Sequence, residues 1–406
     1  MDKKRIIFTV AFIIVTIALG YLLYRVFFAK EKVPPSAPID ITTLPPGVLP
    51  SADEGVVTPG AIPGTGILPT AEQLALGFES TINPYESYPI NTIVEAPILD
   101  PKINQSGVTN FYNQSDGKFY KLGPDGKPQT LSDEVFYNVE SVTWSPTKNE
   151  SIIEYPDGSN IYYNFDTEQQ STLPKHWEDF SFSPLGDKIA SKSMGLAEEN
   201  RWLVTADPTG NNISLIEPMG NNADRVTVDW SPNKQVVALS RTGEALGSDR
   251  QEVLFVGLHG ENFRSMVVEG RDFREKWSPT GQKMLYSVYS IRSNFEPELW
   301  IVNAEGDNIG TGRKLLNLST WADKCTFADD RFVYCAVPAE TKMGSGLAPE
   351  LSSDTEDVLY KIDTKTGIKS EIPLNGYHTV DEIFVGENNT LFFTDKNQGG
   401  LFNMPL

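Results

Sequence analysis

Histidine and cysteine, the residues most often used for chemistry near neutral pH, are scarce in this chain. His176, His259 and His378 are far apart, and no histidine lies beside a plausible nucleophile. Gly344-Ser345-Gly346 falls short of the G-x-S-x-G elbow that exposes a catalytic serine, and that elbow occurs nowhere. Glu198-Glu199 could in principle supply the paired carboxylates of a glycosidase, but its polar surroundings read as a wet loop. Residues 303–308 and 354–357 lack the alternating oxygen ligands and fixed glycine of a calcium loop, and the sialidase Asp box is absent. No catalytic residue, no metal and no cofactor is therefore expected.

Cys325 and Cys335 are the only cysteines, too few for a disulfide framework or a zinc site. They flank a short turn. With three central residues, Asp329 to Arg331, they face each other across a hairpin and can form a disulfide. With two, they point to opposite faces.

These residues sit in a repetitive chain. An apolar strand ends in Trp or Phe, followed by Ser-Pro, a polar turn and a second apolar strand. Trp144, Phe182, Trp230 and Trp277 open the good copies, and Phe327 opens a degraded one. The spacings are 38, 48, 47 and 50 residues, close to the ~40–45 residues of a four-stranded propeller blade. Residues 151–155 and 160–165 are β-rich and joined at Asp157-Gly158, a hairpin signal. Recurrence at blade period makes the aromatics wedges between blades rather than sugar-stacking rings. Upstream, residues 94–101, 108–113, 118–122 and 129–132 supply four strands; downstream, 380–385, 390–394 and 400–404 supply three. The expected fold is all-β, a β-propeller of seven blades, or six if the end units share one. No strand exchange between the termini is evident.

The copies Trp144-Ser145-Pro146-Thr147-Lys148, Phe182-Ser183-Pro184-Leu185-Gly186, Trp230-Ser231-Pro232-Asn233-Lys234 and Trp277-Ser278-Pro279-Thr280-Gly281 resemble the WD-like repeats of TolB-like propellers and of the propeller of prolyl oligopeptidases. The resemblance covers residues 93–406 and implies the fold. It does not carry an activity, because propellers host many functions. The α/β domain of the Tol protein and the hydrolase domain of the peptidases are both missing.

Ahead of the repeats, residues 6–28 are almost wholly apolar, close to the ~20 residues of a membrane-crossing helix. Lys3, Lys4 and Arg5 precede the run, and Tyr21 and Tyr24 lie near its far end. No A-x-A cleavage site follows, so an uncleaved anchor is expected over a signal peptide. The basic tail at 1–5 then lies inside, and the rest outside the cytoplasm. Residues 29–92 are rich in Pro and Gly and read as an extended, mostly disordered stalk. Net charge is -20, yet residues 1–32 hold six Lys/Arg against two Asp/Glu, so the remainder carries about -24. So acidic a domain repels nucleic acid and anionic lipid surfaces.

Four enlarged loops fall between the second and third strands of their blades: residues 193–200, 242–250, 289–298 and 340–357. Such connections all emerge on one face of a propeller, which makes that face a recognition surface. Leu196, Arg241, Tyr289, Arg292, Phe295, Met343 and Leu347 are its expected anchors. The expected function is a membrane-tethered binding or scaffold module of the cell envelope. Its partner would be an envelope protein, a peptide or a glycan. The alternative is an envelope hydrolase or lyase with its site in the central funnel.

Overall fold

The apolar runs around the Trp/Phe-Ser-Pro copies form strands that group by fours into seven antiparallel sheets. The computed structural model describes residues 88–406 except Ala245, Asn262, Ser353, Glu387 and Asn388. The expected anchor at 6–28, and the stalk up to residue 87, lie outside the described residues. Blades 1 to 6 span 98–130, 141–173, 177–218, 226–268, 271–315 and 325–372. The innermost strands of blades 1 to 4 touch in succession, as do those of blades 5 to 7 and of blades 7 and 1, while blades 4 and 5 share one apolar cluster. The result is a seven-bladed β-propeller.

Burial follows position within a blade. The second strand of blade 4, Val236–Ser240, is buried at every residue because both its faces meet neighbouring blades. The third, Gln251–Gly257, alternates buried and half-buried. Outer strands such as Ser214–Pro218 are mostly exposed. The repeat aromatics Trp144, Phe182, Trp230, Trp277 and Phe327 are all buried. Trp144 wedges between blades: its ring meets Phe119 of blade 1 edge-on at 5.6 Å, and its Nε1 donates to Asp100 O at 2.8 Å. The Ser-Pro turns close alike, with the amides of Gly186, Lys234 and Gly281 donating to the carbonyls of Ser183, Ser231 and Ser278. All three residues have positive φ, which glycine adopts freely and Lys234 does not.

Ring closure departs from the expectation that the termini exchange no strand. Asn91–Val94 does not open blade 1. It is the outermost strand of blade 7, paired antiparallel with Leu401–Pro405, while Ile98–Ile103 opens blade 1. Residues 91 and 92, placed in the stalk by composition, therefore belong to a sheet. In blade 6, Cys325 and Cys335 are directly opposed across the hairpin and joined by a disulfide. The turn is the wider of the two considered, with the Ala328 amide donating to Phe332 O at 2.9 Å.

Candidate functional site

The connections between second and third strands leave one end of the ring. In blades 3, 4, 5 and 6 they run over 195–200, 241–250, 290–296 and 339–356. In blades 1, 2 and 7 the same connection is only four or five residues long. All four enlarged loops thus share a face.

The loops of blades 5 and 6 are clasped together. The Gly344 amide donates to Asn294 O at 3.0 Å, and the Gly346 amide to Phe295 O at 2.7 Å. Thr341 Oγ1 donates to Glu296 Oε2 at 2.8 Å. Blade 4's loop is held from blade 5, where Arg271 Nε donates to Ser248 O at 2.7 Å. Glu269 lies between Arg292, at 2.6 Å, and Arg250, at 3.9 Å.

The expected anchors divide by this packing. Leu196, Met343 and Leu347 are exposed. Tyr289 and Phe295 are half-buried, their ring centroids 6.2 Å apart, with Gly346 packed against them. They support the face rather than form it. Arg292 is ion-paired, and Arg241 Nη2 donates to Asp224 O at 2.8 Å. The blade 5–6 clasp brings Met343 and Leu347 together with Ile291 and Leu351, which are also exposed and which sequence reasoning missed. Leu196 stands on blade 3. Ser345 is fully buried inside its loop, and Glu198 and Glu199 are exposed in a short turn.

The histidines do not converge. His176 and His259 are exposed on loops, while His378 Nδ1 lies 2.9 Å from Asp395 Oδ2, sealed by Phe393 and Phe402. Nearby, Lys324 Nζ reaches both carboxylate oxygens of buried Asp357 at 2.8 and 2.7 Å, and Asp357 Oδ2 also accepts the Val380 amide of blade 7. These groups form a polar seam between blades 6 and 7.

The channel is the second candidate. The innermost strands of blades 1, 3, 5 and 7 carry a bulge that those of blades 2, 4 and 6 lack. Each bulge holds an aspartate: Asp100, Asp179, Asp272 and Asp381. The first three have φ of 45°, 60° and 54°, a region aspartate tolerates through local hydrogen bonding. Asp100 Oδ2 accepts the Val142 amide at 2.6 Å, and Asp179 Oδ2 the Val228 amide at 3.1 Å. Each thereby ties its blade to the next. Sequence reasoning missed this series. Its signal was an aspartate at the second or third residue of alternate first strands.

Burial pushes Asp229 up to about 6 and Glu382 up to about 8, the latter with Asp100 adding repulsion. Glu275 is raised well above its ordinary value by burial and then by Asp229. Lys276 is lowered by burial and then by Lys102. These groups come from blades 1, 4, 5 and 7 yet sense one another, so they converge on the axis. The channel wall can hold and release protons near neutral pH. Among the described residues no three His, Cys, Asp or Glu are grouped to hold a metal ion.

No family model and no curated protein matches the sequence. Solved structures match the fold. The β-propeller domain of Cps50 (Swd1) from Myceliophteria thermophila aligns with a TM-score of 0.52 at 11% identity, over 79% of this chain and 100% of that one. Hydrazine synthase from Kuenenia stuttgartiensis aligns with a TM-score of 0.51 at 10% identity, over 78% and 97%. At such identities the likeness extends to the propeller fold and no further.

Proposed function

We propose that the chain is a membrane-tethered recognition module of the cell envelope. Residues 6–28 anchor it, the Pro-rich segment gives it reach, and the propeller presents its loop face to an envelope protein, peptide or glycan. The clasp between the blade 5 and blade 6 loops carries this reading. It presents Ile291, Met343, Leu347 and Leu351, all exposed, on two loops bonded to each other. Exposed apolar side chains on a preorganised support are what a binding surface requires. Tethering raises the local concentration of neighbours, so modest affinity suffices.

Cross-linking in intact cells, followed by mass spectrometry, tests it with the full chain. Met343→Asp with Leu347→Asp is expected to abolish the cross-linked partner while the melting temperature stays within about 2 °C of native. Capture unchanged by the double substitution refutes the loop face. Protease added to spheroplasts is expected to degrade the propeller; protection until lysis refutes the tethering.

The raised carboxylates of Glu275 and Glu382 favour one second reading, an envelope hydrolase or lyase that uses the channel as a proton source. An activity lost in Glu275→Gln and kept in the loop variant would establish it.

A further inference from the structure

On the face opposite the loops, a groove of about 690 Å³ lies between blades 5 and 6. That volume is in the range for small-molecule sites. Lys283, Lys314, Arg331 and Lys365 line it, each from a different turn or strand start, in a chain whose net charge is -20. Set against the carboxylates of Asp329, Asp330 and Arg331's partner Asp363, the four cations leave a small positive excess in a propeller that is otherwise negative.

Asp329 and Asp330 also line the groove and keep their charge, with their carboxylates positioned by hydrogen bonds within the turn and to the blade 5 turn. Asp329 Oδ1 accepts the amides of Arg331 and Phe332 at 2.7 and 2.6 Å. Asp330 Oδ1 accepts from Thr280 Oγ1 at 2.7 Å. Lys283 Nζ donates to the backbone oxygen of Asp330 at 2.8 Å, which leaves its charge uncancelled. Arg331 is held by Asp363 through two bonds, of 3.1 and 2.6 Å, yet its side chain stays half exposed. Lys314 and Lys365 are exposed and make no ion pair among the described residues. Thr364, 4% exposed, lines the same groove, and its Oγ1 has no hydrogen-bond partner. The Thr364 amide donates to Arg331 O at 2.9 Å, so the two blade 6 turns are fixed together.

We infer that this groove binds a small acidic sugar, a carboxylate or sulfate carried on a molecule of about disaccharide size. The lysines and Arg331 supply charge-assisted bonds to the anion. The remaining aspartate oxygens accept from hydroxyl groups, which a bare inorganic ion lacks. The site is independent of the loop face and lies at the other end of the ring.

Titration calorimetry on the full chain in detergent tests it with four probes: a uronate-bearing hyaluronan disaccharide, a sulfated heparin disaccharide, inorganic phosphate and neutral cellobiose. One or both acidic disaccharides are expected to bind, and cellobiose is not. Lys314→Ala with Lys365→Ala is expected to weaken binding about tenfold or more at unchanged melting temperature. Raising salt from about 0.01 M to about 0.15 M is expected to weaken it further. Acidic disaccharides that bind no better than cellobiose, or bind the double variant as tightly as native, overturn the proposal. Phosphate binding without either acidic disaccharide overturns it too, assigning the groove to a bare anion.

Discussion

Asn91 and Asn403, 312 residues apart in the chain, face each other across the outer strands of blade 7, with Asn91 Nδ2 donating to Asn403 Oδ1 over 3.1 Å. This pair sits where the ring closes. Without Asn91–Val94, the edge of Leu401–Pro405 would be left with unpaired amides and carbonyls, a template for aggregation. A chain beginning at Tyr88 is expected to melt like the full-length protein. One beginning at Pro97 is expected to melt at least about 5 °C lower and to aggregate in size-exclusion chromatography. Coincident melting curves for the two would show that this strand does not hold the ring.

The channel carboxylates make stability depend on pH with a definite sign. Glu382 is held at about 8 in the folded chain against an ordinary 4.5, chiefly by burial. Between those two values the folded state keeps a proton that the unfolded state has released. Stability therefore falls as pH rises from about 4.5 to about 8, and the loss is complete above the folded value. Asp229, at about 6, and Glu154, at about 7, act in the same direction over narrower windows. Glu382→Gln is expected to flatten the fall. Urea midpoints of native and variant that run parallel from below 4.5 to above 8 would refute the assignment.

The clasp of the loop face depends on a missing side chain. A Cβ at Gly346 would lie 2.5 Å from Tyr289 Cβ and 2.8 Å from Phe295 O. Backbone and Cβ atoms cannot yield as a flexible side-chain tip can, so the blade 6 loop must lift. Gly346→Val is expected to speed amide exchange at residues 344–346 markedly while the melting temperature falls by no more than about 2 °C. Unchanged exchange there would mean that the loops are rigid without the clasp.

What was legible in the sequence is what local chemistry and period encode. A strand ending in an aromatic, followed by Ser-Pro, recurs because every blade needs the same wedge and the same turn. The position of Trp144, Phe182, Trp230, Trp277 and Phe327 was therefore enough to phase five of the seven blades and to put the four enlarged loops on one face. The tertiary structure alone decided where non-local pairing and register enter. Asn91–Val94 is four residues of ordinary strand composition, and nothing local directs it to Leu401–Pro405 rather than to its neighbour Ile98–Ile103. Asp100, Asp179 and Asp272 occupy bulges, each of which shifts the pairing register, so side-chain alternation could not say which residues reach the axis. Tyr289 and Phe295 read as exposed anchors until Gly346, more than fifty residues later, is found lying against them. The cations of the blade 5–6 groove come from turns whose closeness exists only once two blades pack side by side.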